Sequence, residues 1–305
     1  MNLHLLRIFA TVAEQRSFSR AASALFISQP AVSKAVQQLE QQLDLSLIER
    51  GGGGPRGTRG VRLTDAGQAL FEHARGIFAL ERAAAEEVRA RVGLQRGRLS
   101  VGASTTIAGY WLPAYAAEFT RQFPKIQLQI RVGNTQAIGR ALIDCEIDLA
   151  LVEGQVNDPR IVAAHWRDDR LQIIAPPHHP LTRRRRPSVN ELNTQVWLVR
   201  EPGSGTREVT DRLMRTQGIE PERTIEFGSN EGIARAVAAG LGVARLPGLP
   251  VRELLRMGEV RTLNPLHSSA SALTRPLQLL QLRERPPSAL VRAFCELLSR
   301  VPEKH

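Results

Sequence analysis

Three short amphipathic helices are predicted within the first 43 residues, and their close spacing constrains the fold more than any other feature of the sequence. Their apolar residues repeat at helical spacing over residues 3–13, 18–25 and 32–43. Ser17 precedes the second helix and Ser28 the third, and serine is a favoured N-cap because its hydroxyl accepts a hydrogen bond from a free backbone N–H. Only Phe26 and Ile27 separate the second helix from the third. The pattern predicts a compact helix-turn-helix module.

The third helix presents a polar face that is free of acidic residues over positions 29–38. Pro30 fits its first turn, where no backbone hydrogen bond is lost. Glutamine and serine exchange hydrogen bonds with base edges in the major groove, and lysine meets phosphate or guanine. The alternative is a three-helix bundle with an ordinary polar exterior. If the face binds double-stranded DNA, the expected contacts are Arg20, Ser28, Gln29, Pro30, Ser33, Lys34 and Gln37.

A basic, glycine-rich segment follows the three helices. Leu47 and Ile48 precede it, and residues 61–63 resume an extended pattern, which predicts a hairpin wing. Its arginines would reach the DNA backbone or the minor groove beside the third helix. Because residues 51–54 are four consecutive glycines, a mobile basic loop is the alternative. The further expected DNA contacts are Arg50, Arg56 and Arg59.

A long helix is predicted from Thr64, a suitable N-cap, to Gly93, with no proline to interrupt it. At 1.5 Å per residue it would span roughly 45 Å, too far to be buried by one small module. Its apolar residues, which include Leu80 and Val88, need a partner. The same helix of a second subunit supplies one, which predicts a homodimer or homotetramer. The alternative is a solvent-exposed spacer.

From Gly97 the sequence alternates strands with helices. Residues 99–103, 126–132 and 148–153 are predicted strands. A helix that carries Trp111, Leu112 and Phe119 precedes the second strand and a helix over 136–145 precedes the third, and this β-α-β-α-β order predicts a parallel sheet. Ligands of such folds bind beyond the carboxyl ends of the strands. The loops there carry hydroxyls and amides at helix starts, where free N–H groups attract an oxyanion or a carboxylate. Ordinary N-capping is the alternative for any one loop. The residues expected to bind a small-molecule effector are Ser104, Thr105, Thr106, Asn134, Thr135, Glu153, Ser204, Gly205, Thr206, Arg207 and Asn230.

The complete prediction is a winged helix-turn-helix domain over 1–63, a linker helix over 64–94 and an α/β effector-binding domain over 95–305. The last domain divides into two lobes. The first comprises 95–160 and 274–305, and the second comprises 161–273. Short crossings between the lobes would form a hinge.

Several segments together resemble the LysR-type transcriptional regulators. In the first module they are residues 18–22, 28–33, 39–40 and 63–67, and in the α/β region they are 103–106, 133–135, 148–154 and 201–207. The resemblance implies a dimeric or tetrameric activator or repressor, with an effector domain similar to a periplasmic binding protein. An activator would also contact RNA polymerase. The loop at 203–207 is most similar to members that control sulfur assimilation and carbon fixation, which implies a small anion as effector.

Composition and charge limit the other classes. The formal charge of +11 suits a polyanionic partner. No apolar run reaches membrane-spanning length and no signal peptide is evident, so we expect a soluble, cytoplasmic protein without a membrane partner. The only histidine cluster, His165 with His178 and His179, lacks acidic or cysteine ligands, so we expect no metal, no cofactor and no catalytic residues. A solute-binding protein would fit the α/β region alone, but not the first module.

Overall fold

The computed structural model describes residues 1–49, 60–90, 97–184, 186–263 and 274–300. The chain forms two compact units, Met1–Ala84 and Ala85–His305, and each unit has its own apolar core. Within the described residues, no helix is long and apolar enough to cross a membrane.

The first unit is built from helices. They are α1 Leu3–Gln15, α2 Phe18–Leu25, α3 Gln29–Leu43 and the beginning of α4 Asp65–Ala90. Ser17 accepts a hydrogen bond from the N–H of Arg20, and Ser28 accepts one from that of Ala31, so both predicted N-caps are confirmed. Leu6, Phe9, Val12, Val32 and Leu39 are fully buried between the helices.

The base of the predicted wing is an antiparallel bridge between Ile48 and Leu63. Glu40 of α3 fixes this base, since its carboxylate accepts hydrogen bonds from the backbone N–H groups of Leu47 at 2.8 Å and Ile48 at 3.2 Å. The glutamate is 7% exposed. Helix α3 and the base of the predicted wing are therefore joined by one buried side chain. Wing residues 50–59 lie outside the described residues.

Helix α4 begins where predicted, because the hydroxyl of Thr64 accepts a hydrogen bond from the N–H of Gly67 at 3.0 Å. The predicted extension to Gly93 lies outside the described residues. Leu80 and Val88 of its apolar stripe are 49% and 66% exposed.

Among the described residues of the second unit there are nine strands, which form two connected halves. They are β1 Gly97–Ser104, β2 Ile126–Gly133, β3 Leu149–Glu153, β4 Ile161–Ala175, β5 Val196–Arg200, β6 Arg223–Phe227, β7 Val243–Pro247, β8 Arg261–Leu263 and β9 Thr274–Leu282. In the first half β1 lies between β2 and β3 and runs parallel to both, as predicted. In the second half β5 lies between β6 and β7, again in parallel.

Strand β4 joins the halves. Its residues from Ile161 to Arg170 pair with β9, and those from Leu171 pair with β7. Because β4 runs through both halves, its first ten residues belong to the sheet of the first half. The lobe limits remain a prediction.

Helices cover both halves. They are α5 Leu112–Gln122, α6 Thr135–Ile143, α7 Val189–Asn193, α8 Gly205–Thr216, α9 Asn230–Ala238, α10 Gly248–Met257 and α11 Ala289–Ser299. The predicted helix over 136–145 begins at Thr135 and ends at Ile143, since Asn134 caps its first turn and Cys145 adopts a left-handed backbone with a φ of 55°.

Candidate functional site

The first unit exposes the predicted DNA-reading face of α3. Gln29, Pro30, Lys34 and Gln37 are exposed, and Ser33 is half-buried. Pro30 is the second residue of the helix. Side chains at the start of a recognition helix are those that reach base edges in the major groove.

Arg20 is exposed on α2, and its guanidinium donates a hydrogen bond to the carbonyl oxygen of Gln15. The predicted wing contacts Arg50, Arg56 and Arg59 lie outside the described residues. Phe26 is not among the predicted DNA contacts. It is 95% exposed in the turn before α3 and has a left-handed φ of 55°.

In the second unit the predicted effector residues stand at strand ends and helix starts. Ser104 ends β1, Glu153 ends β3, Asn134 caps α6 and Asn230 begins α9. Ser204 precedes α8 without making a side-chain capping hydrogen bond. Its hydroxyl therefore does not serve the role that ordinary N-capping would give it.

A buried hydrogen-bond network brings many of these residues together. The amide nitrogen of Asn230 donates to the hydroxyls of Thr106 at 2.8 Å and Thr206 at 3.5 Å. Thr206 also accepts a hydrogen bond from Arg275 at 2.7 Å, and Arg275 donates to Glu153 at 3.2 Å. All five residues are at most 2% exposed. The network therefore links the ends of β1 and β3 in the first half to the starts of α8 and α9 in the second.

The start of α6 meets the loop before α8. The Thr135 hydroxyl donates to the carbonyl oxygen of Glu153 at 2.7 Å. The backbone N–H of Gln136 donates to the carbonyl oxygen of Gly203 at 3.0 Å. Asn134 donates to the Glu201 carboxylate at 3.3 Å. One amide in the first turn of α6 is therefore already bound by the protein.

Arg200 and Glu201 form a tight pair beside this contact. The guanidinium donates to both carboxylate oxygens at 2.7 and 2.9 Å and to the hydroxyl of Thr105 at 3.3 Å. Burial acts to raise the pKa of Glu201. The hydrogen bonds from Arg200, from the backbone and from Asn134, with the positive charge of Arg200, outweigh burial and hold this pKa below its ordinary value of 4.5.

Arg207 is placed differently from the other predicted effector residues. Its guanidinium donates to both carboxylate oxygens of Asp211 at 2.8 and 2.9 Å and to the carbonyl oxygen of Arg200 at 2.8 Å. These contacts hold the Arg207 side chain against α8, through Asp211, and against the last residue of β5, Arg200.

Sequence reasoning missed Arg200, Glu201, Asp169 and Arg275 as site residues. An arginine at the end of an apolar strand, as at Arg200, is a signal in the sequence. Arg275 is fully buried and binds Asp169 at 2.8 and 3.1 Å. That pairing depends on strand order, which the local sequence does not contain.

The histidines do not converge. His165 contacts Asp168 at 3.0 Å and His179 contacts Gln195 at 3.1 Å. Over the part of the chain that the structure describes, no three histidine, cysteine or acidic residues form a group that could hold a metal ion.

A helix-turn-helix unit with an exposed polar recognition helix, followed by an α/β unit with polar strand ends, defines a ligand-responsive DNA-binding regulator. Two family profiles match the chain. The LysR substrate binding domain matches residues 93–302, and the bacterial regulatory helix-turn-helix protein of the lysR family matches residues 3–68. The chain belongs to the LysR family of DNA-binding transcriptional regulators, which carry an effector-binding domain.

Two curated relatives align along most of the chain. The HTH-type transcriptional regulator CysL of Bacillus subtilis (strain 168) is 31% identical over 281 residues, which cover 92% of this chain and 91% of CysL. The regulator CfxR of Cupriavidus necator is 34% identical over 300 residues, which cover 96% of this chain and 90% of CfxR.

Solved structures share the fold. A full-length OxyR variant from Pseudomonas aeruginosa has a TM-score of 0.73 at 25% identity, covering 98% of this chain and 93% of that one. The regulatory domain of CcmR from Synechocystis PCC6803, in complex with 2-PG, has a TM-score of 0.59 at 26% identity, covering 67% of this chain and 96% of that one.

Proposed function

We propose that this regulator reads double-stranded DNA with the start of α3 and the wing. The contacts would be Arg20, Ser28, Gln29, Pro30, Ser33, Lys34 and Gln37, together with Arg50, Arg56 and Arg59. The exposure of Gln29, Lys34 and Gln37 along one helix supports this proposal. Glutamine reads adenine edges, and lysine binds guanine or phosphate.

We propose further that a small anionic effector binds at the junction of the two lobes and changes promoter binding or activation. The site would comprise Ser104, Thr105, Thr106, Asn134, Thr135, Glu153, Ser204, Gly205, Thr206, Arg207 and Asn230. The observation that carries this proposal is the position of Asn230, whose amide binds Thr106 of the first half and Thr206 of the second. The regulatory domain of CcmR, which is similar to this α/β unit and was solved in complex with 2-PG, supports a small-molecule effector.

A ligand shifts a two-state equilibrium only if it binds the states unequally. The effector would therefore favour one arrangement of the lobes over another. We propose that lobe one comprises 95–160 and 274–305 and lobe two 161–273, behind a DNA-binding domain at 1–63 and a linker helix at 64–94.

Assembly would run through α4. The exposure of Leu80 and Val88 supports pairing with the same helix of a second subunit, as a homodimer or homotetramer. We propose a cytoplasmic location, where the chromosome is accessible, contact with RNA polymerase if the protein activates, and no enzymatic activity, as is general in this family.

The test is DNA affinity measured for the region upstream of the protein's own gene and for random DNA of equal length, across a salt series. A Gln29→Ala, Lys34→Ala double variant should lose the preference for the upstream region. Gln42→Ala, which removes an exposed glutamine at the other end of α3, should keep it. Equal affinity of the wild type for both DNAs would overturn the assignment of α3 as a sequence reader.

A further inference from the structure

The buried network at the lobe junction carries an unbalanced charge. Arg275 shares its guanidinium between Asp169 and Glu153. One positive and two negative groups give this buried cluster a formal charge of −1. Buried charges are normally fully paired, because leaving water costs free energy that only a counter-charge or hydrogen bonds recover.

The same cluster contains acceptors that are not used. Among the described residues, the second carboxylate oxygen of Glu153 and the amide oxygen of Asn230 are buried without a hydrogen-bond partner. Glu153 is 2% exposed and Asn230 is 0% exposed. Both residues belong to the chain of hydrogen bonds that runs from Glu153 through Arg275 and Thr206 to Asn230. Unsatisfied buried polar atoms of this kind are rare in native proteins and call for an explanation.

The cations nearby are already engaged. Arg275 donates to two carboxylates and to Thr206, and Arg200 is paired with Glu201 and Thr105. The network therefore offers a ligand two oxygen atoms that can only accept hydrogen bonds, one on Glu153 and one on Asn230. The hydroxyl of Ser104, buried without a partner among the described residues, can donate a hydrogen bond to a ligand's acidic group.

We infer that the effector carries N–H or O–H donors beside its acidic group, as a hydroxy acid or an amino acid does and a bare oxyanion does not. The donors bind Glu153 and Asn230 and compensate the negative charge of the cluster, and the acidic group accepts from Ser104. This inference rests on the proposed function, because it assigns the ligand class of the same site.

The test uses the full-length protein and three acids that share a three-carbon skeleton. Propionate lacks a further donor, lactate adds a hydroxyl and alanine adds an ammonium group, and sulfate serves as a bare oxyanion. Affinities come from the shift in unfolding temperature with ligand concentration. Lactate or alanine should bind at least tenfold more tightly than propionate and sulfate, and the preference between lactate and alanine identifies the donor.

Two matched variants locate the effect. Glu153→Gln replaces the unused acceptor by an amide whose N–H would face the ligand's donor, so it should abolish the tenfold preference. Asp169→Asn also removes one negative charge from the cluster, that of the other carboxylate paired with Arg275. It leaves the Glu153 acceptors in place, so most of the preference should remain. If Glu153→Gln fails to fold, the comparison of acids on the wild type decides alone.

The outcomes separate the two proposals. Sulfate or propionate binding as tightly as lactate and alanine would overturn the ligand class while leaving an effector site at the junction. Equal loss of preference in both variants would also overturn it, because charge alone would then explain binding. If none of the four compounds binds, the proposed effector site itself fails.

Discussion

The α-carbon of Gly205 lies against the carbonyl oxygen of Glu153, so closely that a methyl group built on it would stand 1.9 Å from that oxygen. The same methyl group would stand 2.8 Å from the hydroxyl of Thr135. Helix α8 of the second half thus begins in backbone contact with the end of β3 in the first half. Only glycine permits this approach.

Gly205→Ala should therefore separate α8 from β3 and disturb the junction. The nearer of the two atoms is a backbone oxygen of Glu153, which cannot move aside without displacing β3. We therefore expect a loss of about 1–3 kcal/mol in the unfolding free energy of the α/β unit. Effector response in a DNA-binding assay should also be lost. Gly109→Ala is the control, since nothing lies within 4 Å of the place its new methyl group would take. Unchanged stability and response in Gly205→Ala would contradict the packing described.

A second glycine holds the DNA-binding unit together. A methyl group on Gly67, in the first turn of α4, would stand 2.0 Å from the carbonyl oxygen of Leu47 at the wing base. We expect Gly67→Ala to destabilise this unit by about 1–3 kcal/mol and to weaken DNA binding. Gly76→Ala, in the same helix and with nothing within 4 Å, should instead stabilise it by about 1 kcal/mol, as alanine does in a helix interior. Urea unfolding of both variants gives the comparison.

Glu40 gives a further prediction for the same unit. Glu40→Ala would leave the buried N–H groups of Leu47 and Ile48 without their acceptor. We expect this to lower the unfolding free energy of the unit by about 1–3 kcal/mol. Glu40→Gln retains one acceptor oxygen and should lose less. Binding to the upstream DNA should follow the same order, because the wing base rests on α3 through this residue. Equal affinity in all three proteins would show that the wing position does not depend on Glu40.

The features that the sequence predicts well are local. Ser17, Ser28 and Thr64 are capping residues, and each lies three positions from the amide it binds. Their role can therefore be predicted from the local sequence, before the fold is known. The parallel order of β1, β2 and β3 follows from alternating strands and helices, because right-handed crossovers leave few other arrangements.

The features that the sequence could not predict depend on distant partners. Arg275 and Asp169 are 106 positions apart and meet only because β9 pairs with β4. The division of β4 between two halves is equally hidden, since its residues form one continuous strand pattern. The site residues at strand ends could be proposed individually, but the buried charge cluster that joins them could not.

The pair of Arg200 and Glu201 predicts a pH dependence. The pKa of Glu201 in the folded protein is below its ordinary value of 4.5, so its ionised form stabilises the fold. That stabilisation is fully present above about pH 4.5 and is lost as the pH falls through the lower folded-state pKa. Glu201→Gln should therefore lose less stability on acidification below pH 4.5 than the wild type does. Glu222→Gln, at an exposed position, should behave as the wild type in the same series of urea titrations.

Arg245 on β7 offers the opposite case, a buried charge that destabilises the fold. Its guanidinium donates to Gln217 at 2.6 Å, and two of its nitrogens have no partner among the described residues. Burial lowers its pKa to about 10. Because apolar side chains of similar volume avoid the cost of desolvating a charge, Arg245→Leu should raise the unfolding free energy by about 1–4 kcal/mol. Arg252→Leu, at an exposed position on α10, should change it little.

The size of the Arg245 effect depends on pH. Below the folded-state pKa of about 10 the cost of the buried charge is fully present, and it disappears as the pH rises further towards the ordinary pKa of an arginine. The advantage of Arg245→Leu over the wild type should therefore be constant between pH 7 and 9 and shrink above about pH 10. A destabilised variant at neutral pH would show that the guanidinium's hydrogen bonds contribute more than its desolvation costs.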